Sequence, residues 1–223
     1  MADQQGFDAV PLLRRDGLVR EFWSQPDRKP LRIVRRHRIS HDAPIERLLP
    51  ALGAHVVQFV YYRSEMVGLI DASDLNKPVA RLVWLQPMLE LERAILDAVE
   101  ILGIDDERQA SALGKDAAAQ ARGRRKKAAR HDLKLPLLLQ YAQFPSLLYA
   151  WLDLRLKNLD ISKEDVPLLT KFRNRAAHGA RDAVIEDRSE CEELSRTLEI
   201  ARGAARSAFR ISKVKASTGV RDG

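Results

Sequence analysis

EDVPLLTKFRNRAAHG, residues 164 to 179, combines a clear helical period with the densest chemistry of the chain. Val166, Leu169, Phe172 and Ala176 recur at spacings of three and four, the pattern of an amphipathic helix with one buried stripe. Ser162 supplies an N-cap with Asp165 as its capping-box partner, and Gly179 is the expected stop. Asn174 and His178, four apart, share a second face, with Arg173 and Ala177 on the adjoining row. An imidazole passes protons near neutral pH because its unperturbed pKa is about 6.5, and a guanidinium presents a planar fork of donors to phosphate oxygens. Arg173 and His178 are therefore candidate catalytic groups for phosphodiester chemistry, with Asn174 placed to orient the ring. A cation and a histidine near a helix end also read as partners of the C-terminal dipole, so the hexapeptide alone leaves both readings open.

Working outward, the flanking segments are helical too. Residues 77–102 read as one long apolar-rich helix, with Leu85, Leu89, Ile95, Val99 and Leu102 inward, Pro87 as a bend and Gly103 as the stop. Glu90 interrupts that stripe and is expected to hold a salt bridge there. Residues 105–130 are rich in Ala, Lys and Arg and read as an exposed helix. Pro136 and Pro145 divide the apolar run 133–156 into two short helices, whose Tyr141, Phe144, Tyr149 and Trp151 suit either core packing or base stacking. A last helix starts at Asp187 or Ser189 and runs to about Arg210, with Cys191, Leu194, Leu198, Ala201 and Ala205 on its apolar side.

The unbroken Arg173-Asn174-x3-His178 motif, next to last in a run of helices, resembles the HEPN superfamily of small α-helical domains, many of them ribonucleases of toxin–antitoxin, defence and RNA-processing systems. Its signature places a polar residue, usually Asn, directly after the Arg and a His a few residues on. The resemblance implies an up-and-down bundle of four or five helices over residues 83–210. It also implies a homodimer whose two motifs face each other and form one RNA-cleaving site that needs no metal. Arg173, Asn174 and His178 are the catalytic residues on this reading, and an antitoxin or other protein partner belongs to the same expectation.

The first part of the chain is different. Residues 7–23 read as a hairpin turning at Arg15-Asp16-Gly17, and LRIVRRHRIS (31–40) as one strand with many exposed bases. Ser40 or Asp42 caps a short helix over Ile45, Leu48, Leu49 and Leu52, with Pro44 in its first turn. VVQFVYY (56–62) and residues 66–70 then form two adjacent strands, and Asp74 opens a further helix. This β-α-β-β-α order, with Val67-Gly68-Leu69-Ile70-Asp71-Ala72-Ser73-Asp74-Leu75, resembles a single CBS domain over roughly residues 8–85, a module that commonly binds adenine nucleotides. The resemblance gives Asp74 the ribose-binding position. Asp71 stands where the family places a hydroxyl, and a carboxylate there repels phosphate. The expectation is a CBS-like fold kept for packing, with an adenine nucleotide as a weak regulatory ligand at most.

The expected organisation is thus α+β: a CBS-like unit (1–82), a HEPN-like helical domain (83–210) and a disordered tail (211–223). Charge follows that division. Residues 1–103 hold 14 basic and 14 acidic residues, whereas 104–223 hold 24 and 17, so the net +7 lies wholly in the second part. Arg122, Arg124, Arg125, Lys126, Lys127 and Arg130 form the densest cluster, which reads equally as an RNA-binding surface or a solvated helix face. One cysteine excludes an internal disulfide, and the five histidines form no ligand pair on a helix, so no metal or obligatory cofactor is expected. With neither a long apolar run nor a leader pattern in MADQQGFDAV, a cytoplasmic location away from membranes is expected. The main expectation is a ribonuclease. The rival is a non-catalytic regulator that binds a nucleotide or RNA.

Overall fold

The computed structural model describes residues 9–133, 135–154, 160–178 and 183–218, with side chains throughout except at 212 and 214–218. Among these residues the fold is α+β, with seven α-helices and two three-stranded sheets. The chain divides into two compact units, one of residues 1–81 with 181–195, the other of residues 82–180 with 196–223.

In the first unit, β1 (Ala9–Leu13), β2 (Val19–Ser24) and β3 (Lys29–Arg32) form an antiparallel meander. Gly17, at φ 76°, supplies the left-handed turn between β1 and β2, and Asp16 accepts a hydrogen bond from the amide of Leu18 (3.1 Å). Pro30, which has no amide to donate, sits in the edge strand. The second sheet has β4 (Arg38–Ser40) parallel to β5 (Val57–Tyr62), joined through α1 (Leu48–Ala54), and β5 antiparallel to β6 (Glu65–Asp71). The segment 31–40 is therefore two strands in two sheets rather than one. A single 3-10 turn, Arg35–His37, breaks it, and the buried His37 ring accepts a hydrogen bond from the amide of Val34 (3.4 Å).

The core of this unit joins Phe22 of the first sheet to Val57 and Phe59 of the second, with the Phe22 and Phe59 rings 5.2 Å apart. Buried Gln58 donates to the carbonyls of Arg36 and Ala51, both at 3.3 Å, so the polar group inside is satisfied. The expected cap of α1 is not used: Ser40 bonds Asp42, and Pro44 leads into the 3-10 turn Ile45–Arg47 that precedes the helix.

In the second unit lie most of α2 (Pro78–Ile101), then α3 (Asp106–Leu113), α4 (Lys115–Ala129), α5 (Phe144–Asp153), α6 (Val166–Ala177) and the larger part of α7 (Glu190–Thr218). Within α2 the buried stripe is Trp84, Met88, Leu91, Ile95, Ala98 and Val99. Leu89 is 48% exposed and Glu90 is exposed as well, bonded to Gln86 at 2.8 Å, which corrects the expected stripe and the expected buried acid. The six-residue gap between Leu89 and Ile95 in the expected series already broke the helical period, which the bulky Trp84 and Met88 restore. The single helix expected over 105–130 is two, parted at Gly114 (φ 74°). Buried Gln109 of α3 links the carbonyl of Ile104 (2.6 Å) to the amide of Leu139 (3.1 Å). α7 extends to Thr218, past its expected end near Arg210.

Candidate functional site

Helix α6 forms as its period dictates. Val166, Leu169, Phe172 and Ala176 are all buried, and the Ser162 amide and hydroxyl both donate to Asp165 (2.9 and 2.8 Å) just before the helix. Its last hydrogen bond runs from the amide of His178 to the carbonyl of Asn174 (2.9 Å), so the two residues stack one turn apart. Both are exposed. His178 stands at the C-cap, and the expected stop, Gly179, lies outside the described residues.

Arg173 faces another way. It is half-buried, with the centre of its guanidinium 5.6 Å from the centroid of the Phe144 ring in α5. Phe144 is itself 5% exposed, so this aromatic platform is fixed by the core. The Nε of Arg173 is buried and has no hydrogen-bond partner among the described residues. An unmet buried donor on a charged group is costly, and an acceptor brought to that edge would remove the penalty. Among the described residues no hydrogen bond links the side chains of Arg173, Asn174 and His178 to one another. One chain therefore presents a half-buried guanidinium on an aromatic platform at the same helix end as an exposed amide and imidazole.

The structure divides the basic cluster of α4. Arg124 donates to the carbonyl of Tyr141 (2.7 Å), while Arg125 pairs with Asp106 and donates to the carbonyl of Pro136 (3.0 Å). These two hold the segment 136–141 in place. Arg122, Lys126, Lys127 and Arg130 are exposed. Tyr141, Phe144 and Trp151 belong to the core, whereas Tyr149 is 41% exposed.

In the first unit Asp74 is engaged locally. Its carboxylate accepts from the amide of Asp71 (3.0 Å) and pairs with Lys77 (2.5 Å), the bond and the charge together raising the lysine pKa. Asp71 in turn caps the 3-10 turn Ala72–Asn76 by accepting from the amide and hydroxyl of Ser73 (2.8 and 2.5 Å). The acid standing where a hydroxyl was expected thus has a local structural role. A cavity of about 460 Å³ opens beside Ser73, Asn76 and Arg188.

A second cavity, about 130 Å³, brings together His37, His55, Asp27 and Arg188. The two imidazoles meet edge to face, 5.0 Å between centroids. Burial lowers the pKa of His37, helped by His55 and Arg36, and burial lowers that of His55, helped by Arg36 and Arg188. No local spacing signals this pair, because the two rings come from separate turns that only the sheet packing brings together. Among the described residues no three His, Cys, Asp or Glu side chains gather to hold a metal ion, and no helix is long and apolar enough to cross a membrane.

Set against known protein families, curated proteins and solved structures, the chain matches none of them.

Proposed function

We propose that this protein is a metal-independent endoribonuclease of the HEPN type, which acts as a homodimer with Arg173, Asn174 and His178 of both copies around one cleft. The observation that carries the reading is Arg173: a guanidinium seated on Phe144 with its Nε buried and unpartnered among the described residues, on the same helix end as exposed Asn174 and His178. On this reading an RNA 2′-OH attacks the adjacent phosphorus and the 5′-oxygen leaves. His178 moves the proton, Arg173 stabilises the charge that grows on the phosphoryl oxygens, and Asn174 positions the reacting groups. The position of α6 as the next-to-last helix of an all-helical unit supports the family assignment. The order β4-α1-β5-β6 followed by α2, with β4 parallel to β5, supports a CBS-like first unit that regulates the second.

The test is incubation of the purified protein with total RNA in EDTA. Wild type is expected to cut, and His178→Ala or Arg173→Ala to lose about 100- to 10,000-fold in rate with the fold intact. DNA and RNA with a 2′-O-methyl at the cleavage site are expected to survive. Cutting only with added metal, or equal activity in His178→Ala, overturns the assignment, and a monomer in sedimentation at working concentration overturns the shared cleft.

The second reading, a non-catalytic nucleotide- or RNA-binding regulator, is favoured by the cavity of about 460 Å³ beside Ser73. Calorimetry with AMP and ATP separates the two. Tight nucleotide binding in a protein that leaves RNA whole selects the regulator.

A further inference from the structure

The exposed side of α4 has a composition that its own fold does not explain. From Ala117 to Arg130 it carries no acid, and Arg122, Gly123, Lys126, Lys127 and Arg130 all face solvent. Arg122, Lys126 and Arg130 recur every four residues and so stand in one row about 12 Å long, at 1.5 Å of rise per residue. Lys127 flanks the row, one turn beyond Gly123. Cations in a last turn complement the helix dipole, which accounts for Lys126 and Lys127 but not for Arg122, a turn earlier.

Gly123 is the sharper clue. It lies inside α4, where glycine is among the poorest helix formers, and a Cβ built there meets nothing within 4 Å. No neighbour among the described residues requires the missing side chain. What the glycine does is leave bare helix backbone in a notch between Arg122, Lys126 and Lys127. Arg124 and Arg125, on the other side of the same helix, are bound to Tyr141, Pro136 and Asp106, which holds α4 rigidly in place behind the row.

We infer that α4 is a docking ridge for the sugar–phosphate backbone of single-stranded RNA, with Arg122, Lys126, Lys127 and Arg130 neutralising phosphates and Gly123 admitting the strand close to the helix. A bilayer is the other large polyanion, but it takes helices with bulky apolar residues beside the cations. From Ala117 to Arg130 the exposed residues of α4 other than its cations are Ala, Gly and Gln, none of them a bulky apolar side chain. Recognition through phosphates is independent of sequence and falls with salt as counterions are retained. The ridge does not rest on the cleavage proposed at α6.

The test uses the full chain and a labelled 2′-O-methyl oligouridine, which binds through phosphates but offers no 2′-OH for attack. Four phosphate contacts predict an affinity that falls about 50-fold between about 50 and 200 mM salt, from a slope near −0.7 per contact. The variant Arg122→Gln with Lys126→Gln, Lys127→Gln and Arg130→Gln is expected to lose that salt-dependent binding while keeping its helicity by circular dichroism. Gly123→Ala is expected to raise the melting temperature by about 2–4 °C, since it improves the helix without a clash, yet to weaken binding about three-fold or more. Unchanged binding in the four-fold variant overturns the proposal. So does a Gly123→Ala protein that is stabilised and binds as before, or a wild-type protein that ignores the oligonucleotide and binds phosphatidylserine vesicles instead.

Discussion

Asn76 and Ile185 exchange two hydrogen bonds across more than a hundred residues of chain: the Asn76 amide donates to the Ile185 carbonyl at 2.8 Å, and its oxygen accepts from the Ile185 amide at 2.9 Å. The side chain thereby imitates a strand neighbour and fixes residues 183–188 to the first unit. Asn76→Ala is expected to destabilise that unit by about 1–3 kcal/mol, because both backbone groups of a buried residue lose their partners. Urea unfolding followed by tyrosine and tryptophan fluorescence measures it. A midpoint equal to wild type would show that the pair contributes nothing.

Seating on Phe144 is what aims Arg173. Phe144→Leu keeps the core apolar but removes the ring face, a loss of about 0.5–2 kcal/mol if the cation depends on it in the transition state. On the proposed ribonuclease reading, RNA cleavage is then expected to drop about 2- to 30-fold with the proposed dimer retained. Arg173→Lys should fare nearly as badly as Arg173→Ala, since an ammonium has neither the fork nor the planar face.

Stability should fall with acidity through His37 and His55. Both have pKa values below their ordinary one, near 6.5 in an unfolded chain, so the unfolded state takes up protons first as pH drops. Their contribution is complete above about pH 6.5 and erodes as the pH falls from there toward the lowered folded values. Urea midpoints collected between about pH 8 and pH 5 are expected to decline, and His37→Gln with His55→Gln to flatten the decline. A protein that gains stability over that interval contradicts the buried pair.

The two classes of arginine in α4 should separate cleanly. Arg124→Ala removes a charged donor from the Tyr141 carbonyl and is expected to cost about 1–3 kcal/mol. Arg122→Ala, on the exposed row, is expected to change stability by no more than about 0.5 kcal/mol. Thermal unfolding of the two variants side by side is the measurement, and equal losses would refute the division.

Cys191 is fully buried, and burial pushes its thiol up to about 11. It is expected to ignore thiol reagents in the native protein near neutral pH and to react fully in denaturant. Its labelling rate then reports the opening of the first unit, and fast labelling of the native protein would place the residue wrongly.

The stripe of α6 was legible because four apolar residues keep an uninterrupted helical period up to a C-terminal histidine, although Ser162 caps the 3-10 turn Lys163–Asp165 that leads into the helix and not the helix itself. The β1–β2 and β5–β6 hairpins were equally clear, each with a turn residue at positive φ, Gly17 and Arg63. Elsewhere local signals ran out. In α2 the leucines drew attention from Trp84 and Met88, and period alone does not say which of two apolar rows faces the core. The break at Arg35–His37 depends on which sheet each half joins, a choice made by long-range pairing. At the candidate site the identities of Arg173, Asn174 and His178 were legible, but the Phe144 platform was not, because it comes from a different helix. The division of labour in α4 likewise needed the positions of the Tyr141 and Pro136 carbonyls.

The first unit is assembled from two separated pieces of chain, residues 1–81 and 181–195. During synthesis its strands emerge from the ribosome long before Ile185 exists to occupy the Asn76 amide. The unit is therefore finished only after residues 82–180 of the helical unit have been made. A chain interrupted before Ile185 would carry the motif of α6 but a first unit whose Asn76 side chain still lacks its backbone partners.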